Sequence, residues 1–264
     1  MGSFLNVVIA RLPARESVVR PRSRCPRCRT PIKAAENVPV LSYLLLGGRC
    51  RYCRAPISLR YPMVELLTAA LTIALVKVYG PSAPLIPALV LAWALIAGSF
   101  IDLDHRLLPN QITIPGLVAG LGFSFLPGGI DPLDALLGAL LGGGILIGLI
   151  ALYWVLRKVE GMGFGDVKLL AMIGAFLGMR GVVVTLLVGS LLAVVISMAL
   201  MLAGRMKPEP PPAVSGADEE PAAPASWRYA SMPFGPFLSL GAIAYLLFGM
   251  AILEWLGHLA VVEL

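Results

Sequence analysis

Long apolar runs separated by short polar segments dominate the chain from residue 61 onwards. The runs are continuous rather than alternating, and several approach the ~20 residues that a helix needs to cross a bilayer, so they predict spanning helices and not barrel strands. Seven crossings are predicted, over residues 62–80, 82–101, 111–127, 132–156, 167–179, 182–204 and 232–262. The expected fold class is therefore all-α, a polytopic helical membrane protein.

The composition is that of a membrane protein rather than of a soluble domain. Of the 264 residues, 58% are hydrophobic and only 14% are charged, and the mean hydropathy is +0.85. Soluble domains carry about 25% charged residues. A soluble fold of this chain would expose a mostly apolar surface, so the composition argues against that class.

The positive charge is concentrated before the first predicted crossing. The net charge is +6, and twelve of the 21 Lys and Arg residues lie between Arg11 and Arg60, where the only acids are Glu16 and Glu36. A basic segment of this kind suits a nucleic acid, but beside membrane helices the positive-inside rule explains it more simply. We therefore predict that the segment is cytoplasmic and that its partner is the phospholipid bilayer, with no nucleic acid.

Two Cys-x-x-Cys pairs lie inside this basic segment, Cys25 with Cys28 and Cys50 with Cys53. The spacing is typical of a tetrathiolate zinc site, in which each pair forms one knuckle. Disulfides are disfavoured in a reducing cytoplasm, whereas redox-active dithiols remain an alternative. Four cysteine ligands leave no open coordination position, so the predicted zinc is structural.

Two aspartates stand at the ends of predicted crossings. Asp102 follows one apolar run, and Asp166 precedes another after a glycine-rich loop. If the basic segment is cytoplasmic, alternation of the crossings places both aspartates at the cytoplasmic face. Two carboxylates in a partly dry site can share a proton and activate water, as in aspartic proteases. Helix capping and a proton or ion pathway are the alternatives.

The chain divides into three parts. Residues 1–12 are apolar but too short to cross a bilayer, so they are interpreted as the end of a truncated first helix or as an interfacial segment. Residues 13–60 form the predicted cytoplasmic zinc-binding domain, and residues 61–264 form the transmembrane domain. Within the latter, residues 205–230 are rich in proline and acid, which predicts a disordered linker.

Four segments, together with the cysteine pairs, carry a resemblance that covers nearly the whole chain. They are Gly2-Ser-Phe-Leu-Asn-Val-Val-Ile-Ala-Arg-Leu-Pro13, Tyr61-Pro-Met-Val-Glu65, Ile101-Asp-Leu-Asp-His-Arg-Leu-Leu-Pro-Asn110 and Gly161-Met-Gly-Phe-Gly-Asp-Val-Lys-Leu169. In this order they resemble the bacterial type IV prepilin peptidases. The last segment contains the Gly-x-Gly-Asp signature shared with archaeal preflagellin peptidases and presenilin-type proteases.

The resemblance implies a membrane aspartic endopeptidase at the cytoplasmic face of the bacterial inner membrane. Such enzymes remove the basic leader of type IV prepilins and type II secretion pseudopilins after a glycine. Members with the cysteine domain also methylate the new N-terminal amine, with S-adenosylmethionine as the methyl donor. Peptidase activity without methylation, and a proton-coupled transporter with a zinc-binding partner module, are the alternatives.

The resemblance also assigns roles to individual residues. The catalytic pair maps to Asp102, which lies seven residues before Pro109, and to Asp166, rather than to Asp104. The remaining expected assignments are substrate positioning by Gly163, Gly165 and Lys168, zinc ligation by Cys25, Cys28, Cys50 and Cys53, and a contribution to methylation by Glu36, Asn37 and Glu65. Family members have eight crossings, the first a complete helix before the Gly-Ser-Phe-Leu-Asn motif, whereas this chain starts at Met1.

Overall fold

The computed structural model describes residues 1–33, 36, 38–157, 163–205 and 232–262. In this part of the chain the regular elements are helices, accompanied by two isolated β-bridges. The helices are α1 (Gly2–Arg11), α2 (Leu41–Leu45), α3 (Arg60–Tyr79), α4 (Leu85–His105), α5 (Asn110–Phe123), α6 (Pro132–Arg157), α7 (Phe164–Leu202) and α8 (Gly235–Val262). The predicted linker 205–230 lies, apart from its first residue, outside the described residues.

The structure confirms the predicted all-α membrane class. Among the residues that the structure describes in full, four helices are long and apolar enough to cross a membrane, namely α3, α4, α6 and α7. The expected number of about seven crossings is not confirmed. The predicted crossing 111–127 corresponds to α5, whose 14 residues span only about 21 Å, short of the ~30 Å hydrocarbon core. Apolar character continues beyond α5, but the helix ends at Phe123.

The predicted crossings 167–179 and 182–204 lie in one element, α7, which contains 39 residues and a non-helical break at Gly178 with φ 70° and ψ −174°. A straight helix of this length would be about 58 Å long, nearly twice the hydrocarbon core. Positive φ favours glycine at the break. A side chain there would also collide with the carboxylate of Asp134 in α6.

The two halves of α7 pack against different helices. Before the break, Gly174 lies against the backbone of Gly138 in α6, and a side chain at either glycine would overlap the partner. After the break, Gly189 lies against Phe237 near the start of α8. Small residues at both contacts let the backbones approach closely, as is common between membrane helices.

Contacts between helices place both aspartates at one end of the bundle, which we call the aspartate end. α3 begins there, since the guanidinium of Arg60 donates to Phe100 O in α4 at 3.2 Å. α8 begins there as well, because the Gly235 N–H donates to the carboxylate of Asp102 in the last turn of α4. Asp166 is in the first turn of α7, so this helix also begins at the aspartate end. After its break, α7 lies against the start of α8 at Gly189. The helix therefore runs away from the aspartate end and then back towards it.

The core of the bundle surrounds α4. Nine of its 21 residues are buried, among them Leu91, Leu95 and Ile101, and the helix contacts α1, α3, α5, α7 and α8. By contrast, the described residues between 13 and 59 contain only two buried side chains, Cys25 and Ala55. Residues 13–59, which we call the cysteine segment, therefore lack a hydrophobic core of their own.

Candidate functional site

Asp102 is a buried acid at the end of a membrane helix. It lies in the last turn of α4, only 5% exposed, and its Oδ2 accepts a hydrogen bond from the Gly235 N–H at 3.1 Å. A side chain at Gly235 would begin 2.6 Å from this oxygen. The close approach of the α8 backbone therefore depends on glycine, and it supplies a donor that holds the carboxylate in place.

Asp166 is brought to the same place by the packing of Leu108. The backbone of Gly165, one residue before Asp166, lies so close that an added Cβ would be 3.1 Å from Leu108 Cβ. An added Cβ at Gly235 would be 3.3 Å from Leu108 Cδ1. One side chain thus contacts both the partner of Asp102 and the neighbour of Asp166. Asp166 itself is half-buried in the first turn of α7.

Lys168 and the two glycines lie around this pair. The ammonium of Lys168 donates to Asn110 Oδ1 at 2.8 Å, which links the start of α7 to the start of α5. Gly163 is exposed and stands immediately before α7. Sequence analysis named Lys168 but missed its partner Asn110. The Leu-Pro-Asn sequence at the end of the first aspartate motif could have indicated it, because the asparagine directly follows the proline that precedes α5.

Asp104, two residues after Asp102, has a different environment. It is exposed and forms an ion pair with Arg60. The guanidinium of Arg60 also lies 5.4 Å from the centre of the Phe100 ring. A carboxylate paired with a cation at the surface is a poor candidate for proton transfer, whereas Asp102 is buried and accepts a hydrogen bond from a neutral backbone N–H. The geometry therefore separates the two acids that the sequence places in one motif.

The four cysteines form one cluster. Their sulfur atoms all lie within 4.8 Å of one another, and Cys25 Sγ is 3.8 Å from Cys53 Sγ. Tetrahedral coordination with Zn–S bonds of about 2.3 Å requires sulfur atoms roughly 3.8 Å apart, whereas a disulfide requires ~2.05 Å. The cysteines are free thiols, and their arrangement could hold a metal ion.

The two cysteine pairs lie on two copies of the same backbone loop, offset by 25 residues. In the first copy the Cys25 N–H donates to Thr30 O and the Arg29 N–H donates to Cys25 O. In the second copy Cys50 and Arg54 make the equivalent bonds, and Arg29 and Arg54 both have positive φ, 58° and 56°. This repeat was not predicted above, although it is visible in the sequence as the pattern Arg-Cys-x-x-Cys-Arg-x-Pro-Ile at residues 24–32 and 49–57.

The knuckle geometry favours the ionised form of two of the thiols, Cys28 and Cys50. Hydrogen bonds from the side chain and backbone of Thr30 lower the pKa of Cys28 to about 6. Backbone hydrogen bonds from Cys53 and Tyr52 lower the pKa of Cys50. Thiolate is the form that ligates metals, so the loops favour coordination by these two sulfurs. At Cys53 a backbone hydrogen bond to Ala55 lowers the pKa, but desolvation and hydrogen bonds to the other cysteines outweigh it and raise the pKa to about 11.

Glu65 joins the cysteine segment to the helices, whereas Glu36 bonds to residues within the cysteine segment. Glu65 in α3 accepts from the Ser3 hydroxyl in α1 and, through Oε2, from the Val40 N–H at 2.8 Å. Glu36 forms an ion pair with Arg51 at 3.4 Å. Asn37, the third residue expected to contribute to methylation, lies outside the described residues.

Comparisons with known proteins agree in all parts of the chain that they cover. The family model of the bacterial peptidase A24 N-terminal domain matches residues 1–79, and that of the type IV leader peptidase family matches residues 89–198. A protein named prepilin leader peptidase/N-methyltransferase from Aeromonas hydrophila is 40% identical over 97% of this chain and 89% of its own length. Proteins of the same name are 47% identical in Myxococcus xanthus, over 79% of this chain and 62% of that protein, and 40% identical in Neisseria gonorrhoeae, over 77% and 79%. No solved structure matches the chain.

Proposed function

The chain belongs to the type IV leader peptidase family, and on that basis we propose that it cleaves the basic leader from type IV prepilins and pseudopilins after a glycine. The observation that carries the proposal is the placement of Asp102, buried and held by the Gly235 N–H, beside the motif that contains Asp166. We place the reaction at the cytoplasmic face of the bacterial inner membrane, since the basic segment Arg11–Arg60 adjoins the aspartate end.

The proposed mechanism uses Asp102 and Asp166 as a pair that shares one proton. The ionised member removes a proton from a water molecule, which attacks the carbonyl carbon of the scissile bond, while the protonated member donates to the carbonyl oxygen. The tetrahedral intermediate then collapses as the leaving amine takes a proton, so the water is divided between the two products. Burial of Asp102 supports this assignment, because a dry site strengthens the proton sharing.

Substrate positioning is assigned to the residues that surround the pair. Gly163 is exposed before α7, where an extended substrate strand could approach the backbone closely. Lys168 holds Asn110 and so fixes the spacing between the two aspartate motifs. A leader rich in Lys or Arg would be drawn to the carboxylates from the cytoplasm, while the apolar segment of the pilin stays in the bilayer.

The cysteine cluster is proposed as a structural zinc site. All four ligand positions would be filled by Cys25, Cys28, Cys50 and Cys53, which leaves no place for a reacting water. The scarcity of buried side chains between residues 13 and 59 supports this role, because small segments without a core require a metal or a disulfide to hold their fold.

A second activity, N-methylation of the amine released by cleavage, is proposed for the N-terminal part of the chain. S-adenosylmethionine would supply the methyl group, so that the new N–C bond forms as the C–S bond of the donor breaks and the amine loses a proton. Glu36 and Glu65 are the candidate contributors among the described residues.

Co-expression with a prepilin, followed by intact mass analysis of the product, tests both activities. We expect loss of the leader and a further mass increase of one methylene on the mature chain. An uncleaved prepilin would contradict the peptidase assignment. A cleaved product without the methylene would contradict the methyltransferase assignment alone.

A further inference from the structure

A cavity of about 610 Å³ lies between α1, the cysteine segment and the start of α3. We propose that this cavity is the binding site of the S-adenosylmethionine that the proposed methylation requires, and that Glu65 recognises the positive charge of its sulfonium group. The inference rests on the proposed function. Neither the sequence motifs nor the names of the relatives indicate where the methyl donor binds.

The size and lining of the cavity suit an adenosyl ligand. Pockets that enclose small organic molecules measure roughly 300–1,000 Å³ and combine apolar walls with a few polar groups. Here Tyr43, Tyr52 and Tyr61 line the cavity together with aliphatic residues and with charged side chains of both signs, namely Arg11, Arg24, Arg51, Glu16, Glu36 and Glu65. Aromatic rings favour both a flat purine and a nearby cation.

Charge is the feature that distinguishes a cationic donor from other small molecules. Glu65 lines the cavity, and both of its carboxylate oxygens accept hydrogen bonds, from Ser3 and from the Val40 N–H. Among the described residues no Lys, Arg or His forms an ion pair with Glu65. Its charge is therefore held in position but not neutralised by a cation, unlike that of Glu36, which pairs with Arg51.

The cavity adjoins the cluster of four cysteines and the start of α3, which lies at the aspartate end. Cys25 and Cys50 form part of its wall, so the predicted zinc would fix that wall. Tyr61 also lines it, while the preceding residue, Arg60, contacts Phe100 in the helix that carries Asp102. The first turn of α3 thus contacts both the cavity and the helix that carries Asp102.

The test compares a charged ligand with a neutral one on the full-length protein in detergent. S-adenosylmethionine carries the sulfonium charge, whereas S-adenosylhomocysteine has a neutral thioether at the same position. Glu65→Gln keeps the size of the side chain and one oxygen, and its amide can donate to Ser3. We expect calorimetric titration to show that this change weakens S-adenosylmethionine binding by about tenfold, and S-adenosylhomocysteine binding by less than about threefold.

Asp131→Asn is the matched control, because it also removes one negative charge but at the start of α6, where Asp131 Oδ1 accepts from the Leu133 N–H and asparagine caps equally well. It should change neither affinity. If Glu65→Gln weakens both ligands equally, or neither, charge recognition at Glu65 is wrong.

A second variant tests the cavity even if Glu65→Gln does not fold. Ala10 is exposed on α1 and lines the cavity, so Ala10→Trp should fill the space and abolish binding of both ligands while prepilin cleavage continues. Retained binding would overturn the site but leave methylation standing. If the wild-type protein binds neither ligand and its product lacks the methylene, the proposed methylation itself fails, and the site with it.

Discussion

The cysteine segment and the helical bundle hold their shapes by different means. Between residues 13 and 59 only Cys25 and Ala55 are buried among the described residues, whereas nine of the 21 residues of α4 are buried. The bundle is fixed by close contact of apolar side chains and helix backbones. The cysteine segment depends on loop hydrogen bonds and on four converging sulfurs. The proposed chemistry follows the same division, with cleavage in the bundle and methylation beside the cysteine segment.

The largest effect is expected from removing one carboxylate of the proposed catalytic pair. Asp102→Asn and Asp166→Asn should each reduce prepilin cleavage by about 10²-fold or more, because the amide neither accepts the proton of water nor shares one with its partner. Methylation should stop as well, since no new amine is released. Asp104→Asn is the matched control and should cleave at a rate close to wild type. Cleavage by either catalytic variant at the wild-type rate, measured by product mass, would disprove the pair.

Removing a sulfur from the cysteine cluster tests whether the cysteine segment and the helical bundle are stabilised independently. Cys50→Ser, or chelation of the proposed zinc, should lower methylation by about tenfold or more and expose residues 13–59 to protease, because metal binding supplies the folding energy of such segments. Cleavage should fall by less than about threefold, since the catalytic pair lies in the bundle. Zinc added back after chelation should restore methylation. Equal loss of both activities would show that the cysteine segment supports the whole fold.

A complementary change should weaken the bundle and spare the cysteine segment. Gly178→Ala places a side chain at φ 70° and against Asp134, so it should cost about 2 kcal/mol of stability and lower the thermal unfolding temperature without loss of zinc. Gly144→Ala is the control, because nothing lies within 4 Å of an added Cβ there. A stable Gly178→Ala protein would show that the break in α7 tolerates a side chain.

The smallest effect is expected for the contact between the two aspartate motifs. Lys168→Gln shortens the side chain and loses the charge that reaches Asn110 at 2.8 Å, so cleavage should fall by only about threefold to tenfold, in line with the ~1 kcal/mol of a partly exposed pair. Initial rates on a prepilin in detergent measure this. A loss as large as that of Asp102→Asn would instead mean that Lys168 takes part in the chemistry.

Helices α3, α4 and α6 agree with their predicted crossings to within a few residues, because a continuous apolar run is itself the cause of a membrane helix. The prediction was less accurate where helix ends depend on tertiary contacts. α5 ends at Phe123 although apolar residues continue. The break in α7 lies at Gly178, inside the predicted crossing 167–179 rather than between it and the crossing 182–204. Hydropathy depends only on the residues of one segment, so it does not indicate where a helix contacts Asp134 or a glycine of another helix.

The sequence by itself determined the membrane class, the four-cysteine cluster and both aspartate motifs, because apolar run length and ligand spacing are local properties of the chain. The tertiary structure decided what these motifs meet. It buries Asp102 beneath the Gly235 N–H and leaves Asp104 at the surface with Arg60, and it encloses the cavity beside Glu65. Each of these contacts joins residues more than 20 positions apart, and only the packing of the helices brings such residues together.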